Sequence, residues 1–371
     1  MRAAQIGLAW MIALLGLAAP AAADLGPQPS WRGARIETRS VPPGGLAAAL
    51  RALIEQQVEP AWIGYTAPLV AGQGTMCCWH GAERYDARCG RCRLEGGAES
   101  WATESDGGER RKPPWVELEG PTRFVVLLRA GARRLSKIRF FSLDCELDAG
   151  GLPVIWLGSA GGAESVAALA AWVEPPTPPA ASERIARDAV AALALHDDPA
   201  ADAALDRFLD SDRSAALHKE VLFWLGSARG RRGLMALRRV ARSEGRAELR
   251  RQVGFALSLS REPEALAELI ALARGDRSSA VRSEALFWLA QEASAKAVGA
   301  ISEAVERDPD TQVKRQAVFG LSQLPAERGV PILIRLARGN KSPVVRKQAL
   351  FWLGQSEDAR AVAFFEEILL R

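Results

Sequence analysis

From residue 182 to the carboxyl end, apolar positions return in a frame of 32 residues. Anchored on the aromatic, the frame gives Phe223, Phe255, Phe287, Phe319 and Phe351, followed two places later by Leu225, Leu257, Leu289, Leu321 and Leu353. Six places before each Phe stand Leu217, Leu249, Val281, Val313 and Val345, and two places before it Val221, Val253, Ala285, Ala317 and Ala349. Steps of four residues advance by only about 40° around a helix, so these positions form one apolar stripe. A second stripe lies at plus 14 (Leu237, Leu269, Ile301, Leu333, Phe365) and at plus 17 or 18 (Val240, Leu272, Val305, Leu336, Leu369). It predicts a partner helix. Ser214, Ser278, Asp310 and Ser342 recur as N-cap candidates nine places ahead of the Phe, and only Arg246 breaks that column. Ser182, Ile185, Ala189, Leu193, Leu205 and Leu209 fill the same register one unit earlier. Six helix pairs are therefore expected over residues 182–371, and two-helix units bury their faces only by stacking. The pattern predicts an α-solenoid.

Upstream the periodicity changes. A helix is expected over Leu46 to Val58 and strands over residues 61–66, 122–129, 135–141 and 153–157, with a short helix at 163–173. AGARR, between the second and third of these strands, reads as a hairpin turn, so residues 24–175 are expected to form a small α+β domain. EPPTPPAAS follows, and its core at 176–181 predicts a stiff proline-rich linker. At the start, Arg2, an apolar run from Ile6 to Ala19 and Ala21-Ala22-Ala23 have the form of a secretory signal peptide over residues 1–23. That run is shorter than the roughly 20 residues of a membrane-spanning helix. The expectation is export to the periplasm or beyond, with no membrane span after cleavage.

VVRKQALFWLGQSEDARAVAFFEEIL, from Val344, resembles the short HEAT-like repeat of the phycobilisome-lyase type. The likeness rests on Val345, Arg346, Ala349, Leu353, Gly354, Asp358, Arg360, Ala361 and Val362. It implies an armadillo-like, HEAT-like superhelix over half of the chain. Tetratricopeptide and ankyrin signatures are missing, and their periods of 34 and 33 residues differ from this one. Such repeats serve many unrelated proteins, so the likeness implies a fold and leaves the activity open.

The chemistry-bearing residues are few. His80, His196 and His218 are the three histidines, and no His-Glu dipeptide of the kind used by HEAT-like metal hydroxylases occurs. Phosphate-loop and GxSxG frames are missing too, so no catalytic residue, metal or cofactor is assigned. Residues 24–181 carry 17 basic and 18 acidic side chains, and residues 182–371 carry 30 and 26. Neither part has the charge of a nucleic-acid binder. Nine arginines between Arg229 and Arg251, with two glutamates, form the densest basic stretch and are expected to be a solvated face. The minus-five column, His218, Arg250, Arg282, Lys314 and Arg346, is expected to tie neighbouring turns together, as such ladders do in HEAT-like stacks.

All five cysteines, Cys77, Cys78, Cys89, Cys92 and Cys145, precede the repeats. An oxidising compartment favours disulfides among them in an arrangement the sequence leaves open. Zinc held with His80, or thiol chemistry through Cys89 and Cys92, is the competing enzymatic reading.

On a helical wheel that puts the minus-six stripe at 0°, Trp224, Trp288 and Trp352 fall near 340°, beside the core. The Phe column falls near 240°, among the polar columns at minus four and minus three. These rings either fill gaps between neighbouring first helices or form a ridge that binds an envelope protein partner or the protein's own amino-terminal domain. The expected function is that of an exported interaction adaptor, with Phe223, Phe255, Phe287, Phe319, Phe351 and the three tryptophans as candidate contacts.

Overall fold

A computed structural model describes residues 26–73, 76, 92–95, 121–174, 183–210 and 213–370. The expected leader (1–23) and linker (176–181) lie outside them, as do Cys77, Cys78, His80 and Cys89.

Among the described residues two sheets form the amino-terminal domain. The larger joins β2 (Arg35–Thr38), β8 (Pro153–Ser159), β3 (Ala61–Pro68), β5 (Arg123–Gly131) and β6 (Arg134–Ser142) in that spatial order. β3 runs parallel to β8 and antiparallel to β5, with Ile63 opposite Leu128 and Ile155. The smaller sheet joins β1 (Ser30–Arg32), β7 (Glu146–Asp148) and β4 (Cys92–Arg93). β5 is apolar without alternation because both of its faces are covered. Phe124, Val126 and Leu128 pack towards the helices, while Val125 and Leu127 join Trp62, Trp156 and Leu147 on the side of the small sheet. Gly64 makes that second layer possible, since a Cβ there would lie 2.7 Å from Leu127 Cδ2 and 3.0 Å from the Trp156 ring.

The expected hairpin is present. Gly131 pairs with Arg134, leaving Ala132 and Arg133 as a two-residue turn with φ of 49° and 58°. Positive φ at both positions is the type I′ geometry that matches strand twist, here adopted by residues that ordinarily avoid it. Ala132 N–H and Arg133 N–H donate to Val58 O and Gln57 O, which hold the turn against the end of α1 (Leu46–Gln56). On the same side of the sheet, α2 (Gly162–Ala170) reaches back to α1, where Glu164 accepts from Leu46 N–H at 2.9 Å.

Twelve helices follow in six pairs. The first helices of the pairs are α3 (Glu183–Ala194), α5 (Ala215–Ala228), α7 (Ala247–Leu259), α9 (Ser279–Glu292), α11 (Thr311–Ser322) and α13 (Pro343–Gly354). The partners are α4 (Pro199–Asp210), α6 (Gly230–Ser243), α8 (Ala265–Gly275), α10 (Ala295–Arg307), α12 (Ala326–Gly339) and α14 (Ala359–Leu369). Each first helix packs on the next, α3 on α5 through to α11 on α13. The first-helix stripe residues are buried throughout, and in the first unit Ile185, Ala189, Leu193, Leu205 and Leu209 are enclosed as well. Gly226 sets the closest approach: a Cβ on it would stand 2.1 Å from Ala256 O. Among the described residues no helix is long and apolar enough to cross a membrane.

Two expectations change in detail. Ser214 and Asp310 cap their helices through their side chains, accepting from Leu217 N–H and Gln312 N–H, but Ser278 and Ser342 make no such bond. In those two units the preceding Asp276 and Asn340 accept from the cap residue's own N–H, so the turn is fixed one step earlier. In the last helix Leu369 is 81% exposed and Phe364 is buried instead.

The two parts share one core. Leu69 bridges to His196, with Val70 N–H donating to Leu195 O and Asp197 N–H to Pro68 O. His196 is fully buried, its ring edge-on to Phe124 at 5.0 Å. Its Nδ1 lies 3.0 Å from Ala192 O and 3.1 Å from Leu193 O, and its Nε2 lies 2.7 Å from Ser165 Oγ. Carbonyls only accept, so the neutral ring keeps its proton on Nδ1 and Nε2 accepts from Ser165. Arg229, from the second unit, donates to Ala194 O and His196 O and closes the seam.

Candidate interaction face

The first helices place the Phe column on their outward side, between the buried stripe and the polar columns. Phe223, Phe255, Phe287 and Phe319 are half-buried, and Phe351 is 54% exposed. Trp224 is buried, whereas Trp288 and Trp352 are half-buried. Within a unit, Phe and Trp meet edge-on at 5.1, 4.9 and 5.0 Å in the second, fourth and sixth repeats.

Between units the alternation has a geometric reason. Trp288 reaches back to Phe255, with ring centroids 4.8 Å apart, and Trp352 reaches back to Phe319 at 5.1 Å. The units being reached carry Ala256 and Gly320 in the tryptophan place, which leaves room for the neighbour's indole. Trp224 follows the same rule across the domain seam. The first repeat has Ala191 and Ala192 in the two aromatic places, and Phe140 of β6 supplies the ring instead, 5.9 Å from Trp224. Phe223 also stacks on Phe255 at 6.2 Å with planes 26° apart. Such aromatic pairs contribute about 0.5–1.5 kcal/mol each beyond area burial. The amino-terminal domain thus serves as the first layer of the stack.

Polar side chains on this face are tied to the rings. Trp224 Nε1 donates to Glu220 at 2.7 Å and Trp288 Nε1 to Glu284 at 3.1 Å, both one turn earlier on the same helix. In the sixth repeat that place is Gln348, and Trp352 Nε1 is buried with no hydrogen-bond partner. Burial raises the Glu220 carboxyl above its usual range despite the Trp224 bond. Burial also raises Asp188, its counterpart in the first unit, to about 6.

The minus-five column forms rungs. Arg250 pairs with Asp276 at 2.7 and 3.0 Å, and Arg282 with Asp308 at 2.8 and 2.9 Å, each reaching to the next unit. The same guanidinium donates to its own entry loop: Arg250 to Glu244 O and Gly245 O, Arg282 to Asp276 O. Burial opposes the charge on Asp276, but the Arg250 bonds outweigh it and hold the carboxyl low. The acceptor column at minus eleven, Glu244, Asp276, Asp308 and Asn340, was visible in the 32-residue frame and escaped the sequence reading. Lys314 makes no rung and donates to Glu306 O, while Asn340 donates to Glu306 Oε1.

Residues 298–371 match the family model for HEAT repeats. This carboxyl-terminal part of the chain carries HEAT repeats. Among solved structures, human deoxyhypusine hydroxylase in complex with glycerol is similar at 19% identity, with 56% of this chain and 90% of that one covered at a TM-score of 0.27. The complex of CpcE and CpcF of the phycocyanin lyase from Nostoc is similar at 23% identity, covering 43% of this chain and 100% of that one at a TM-score of 0.32. No curated protein matches the chain.

Within the HEAT-like array the dense arginine stretch has only Arg229 and Arg250 buried, with the others on a solvated face as expected. Each of its nine guanidiniums has a carboxylate partner: Arg229 and Arg232 share Asp202, Arg238 and Arg242 share Glu268, and Arg231, Arg239, Arg246, Arg250 and Arg251 pair with Glu264, Asp206, Glu244, Asp276 and Glu248. Ahead of the array, Cys92 and Cys145 are fully buried against Leu94 and Leu147, between the two sheets. Cys77, Cys78 and Cys89 lie outside the described residues. Among the described residues no group of His, Cys, Asp and Glu is placed to hold a metal.

Proposed function

We propose that the protein is an exported interaction scaffold whose outward first-helix face binds another protein of the cell envelope. The observation that carries this reading is the Phe column: five rings at equal intervals on one face, none fully buried, ending in the exposed Phe351. Evenly spaced half-exposed aromatics beside polar side chains suit protein contacts. The shared core across the seam supports rigid presentation of that face. Export is supported by Arg2, the apolar run and Ala21–Ala23, and disulfides among the five cysteines would suit that compartment.

Photo-cross-linking in cells tests it. A photoreactive phenylalanine at position 351 is expected to capture a discrete protein in the envelope fraction, whereas the same group at Met235, exposed on α6, captures none. Equal capture at both positions, or a chain retaining residues 1–23 in the cytoplasm, would overturn the proposal.

A further inference from the structure

A groove of about 400 Å³ crosses the last three first helices, lined by Ser283, Gln312, Arg315, Gln316, Phe319, Gln348 and Trp352. Its lining contains a cation, amides and two aromatic rings, and no carboxylate. The two helices that build most of it are unusual in this array. α11 and α13 together carry Lys314, Arg315, Arg346 and Lys347 and no acidic residue, whereas α5 and α9 carry Glu220 and Glu284 on the same face. Two of the four cations are spent at home, Lys314 on Glu306 O and Arg346 on Asn340 O and Lys341 O. Arg315, in the groove lining, meets only a neutral partner among the described residues, Gln312 Oε1 at 3.1 Å.

In repeats two and four a glutamate one turn before the tryptophan accepts from its Nε1. In repeat six the glutamate is replaced by Gln348, and Trp352 Nε1 is a buried donor without a partner. An unmet buried donor costs about 1–3 kcal/mol. The same groove therefore has excess positive charge and one carboxylate fewer than its two counterparts.

We infer that this groove binds an acidic peptide segment of a partner protein, whose carboxylate takes the place that glutamate holds in repeats two and four. Arg315 supplies the charge-assisted bond. Gln312, Gln316 and Gln348 offer amide donors and acceptors that match a peptide backbone, and Phe319 with Trp352 gives an apolar wall. With Gln348 turned aside, Trp352 Nε1 becomes a further donor. Phe351, exposed next to Trp352, meets an apolar residue of the same segment. The inference rests on the scaffold reading and gives its partner a chemistry.

The test uses the full chain and a fluorescent peptide of Glu and Leu, with a counterpart carrying Gln for every Glu, read by anisotropy at physiological salt. The wild type is expected to bind the acidic peptide and not the counterpart. Gln348→Glu returns the carboxylate in cis, and is expected to weaken binding about tenfold or more while leaving the melting temperature equal or higher. Arg315→Gln is expected to weaken it comparably. Equal binding of both peptides, unchanged affinity in Gln348→Glu, or binding only to vesicles of anionic lipid would overturn the inference. If the acidic peptide fails while photo-cross-links at position 351 persist, the groove's chemistry is wrong and the scaffold stands. Loss of both rejects the scaffold.

Discussion

The indole of Trp288 lies 4.8 Å from the phenyl ring of Phe255, one full repeat earlier in the chain. Ala256 stands where a second tryptophan would otherwise sit, so the large residue of one unit uses the space left by the small residue of the last. Trp288→Ala is expected to destabilise the fold by about 2–4 kcal/mol and Ala256→Trp by about 1–3 kcal/mol through overpacking. Combining them moves the indole from one side of the contact to the other and is expected to recover part of the loss. Strict additivity in denaturant unfolding would show that the two side chains do not share a site.

The rungs offer a transplant. Arg250–Asp276 and Arg282–Asp308 are buried pairs, and Lys314–Asn340 occupies the next position without forming one. Asn340→Asp alone puts a second carboxylate beside Glu306 and is expected to destabilise. Lys314→Arg alone is expected to be near neutral. Together they complete a third rung, with a favourable coupling of about 1–3 kcal/mol in a double-mutant cycle. Removing an existing arginine, as in Arg250→Ala, is expected to cost about 3–5 kcal/mol because Asp276 stays buried.

At the hairpin, Ala132 and Arg133 both hold positive φ. Replacing the pair by Asn-Gly is expected to raise stability by about 1–2 kcal/mol, since the turn type favours those residues. The bonds from the turn to Gln57 O and Val58 O use backbone N–H groups, which the substitution keeps. A lower melting temperature would contradict the turn geometry.

Two buried groups set opposite pH trends. Burial lowers His196 to about 4 and raises Asp188 to about 6. The unfolded chain protonates His196 below about 6.5 while the folded one resists until about 4, so this group's contribution is lost as pH falls through that window. Folded Asp188 keeps its proton up to about 6 while the unfolded chain releases it near 3.9, so its cost grows as pH rises through that range. The two trends oppose each other between about pH 4 and 6. Asp188→Asn removes the second trend. Relative to wild type it is expected to gain about 1–2 kcal/mol at pH 7 and to lose that advantage towards pH 4, measured by thermal unfolding across pH.

Much of this was legible because a repeat states its own frame. Phe223 to Phe351 fix the period, and one stripe of Leu and Val fixes each first helix, so the count of six pairs needed no contact information. β3, β5, β6 and β8 were legible as long apolar runs. β1, β2, β4 and β7 are two to four residues long and carry no periodicity, so the second sheet and its burial of Cys92 and Cys145 could not be foreseen. The outward angle of the Phe column came from the wheel, but Phe255 and Phe319 are also covered by Trp288 and Trp352 of the next units, which a single-helix wheel cannot represent. Phe140 was hardest to see. It belongs to a strand of another domain and takes a place in the stack that the first repeat leaves to Ala191.

The central claim is that the Phe column faces a partner and does more than fill gaps between helices. Phe351→Ala in the full chain, followed by thermal unfolding together with capture by a photoreactive group at Phe319, tests it most directly. The expected result is a stability change within about 0.5 kcal/mol and loss of the captured partner. Loss of about 3 kcal/mol or more with capture unchanged would show that the ring is core packing and would contradict it.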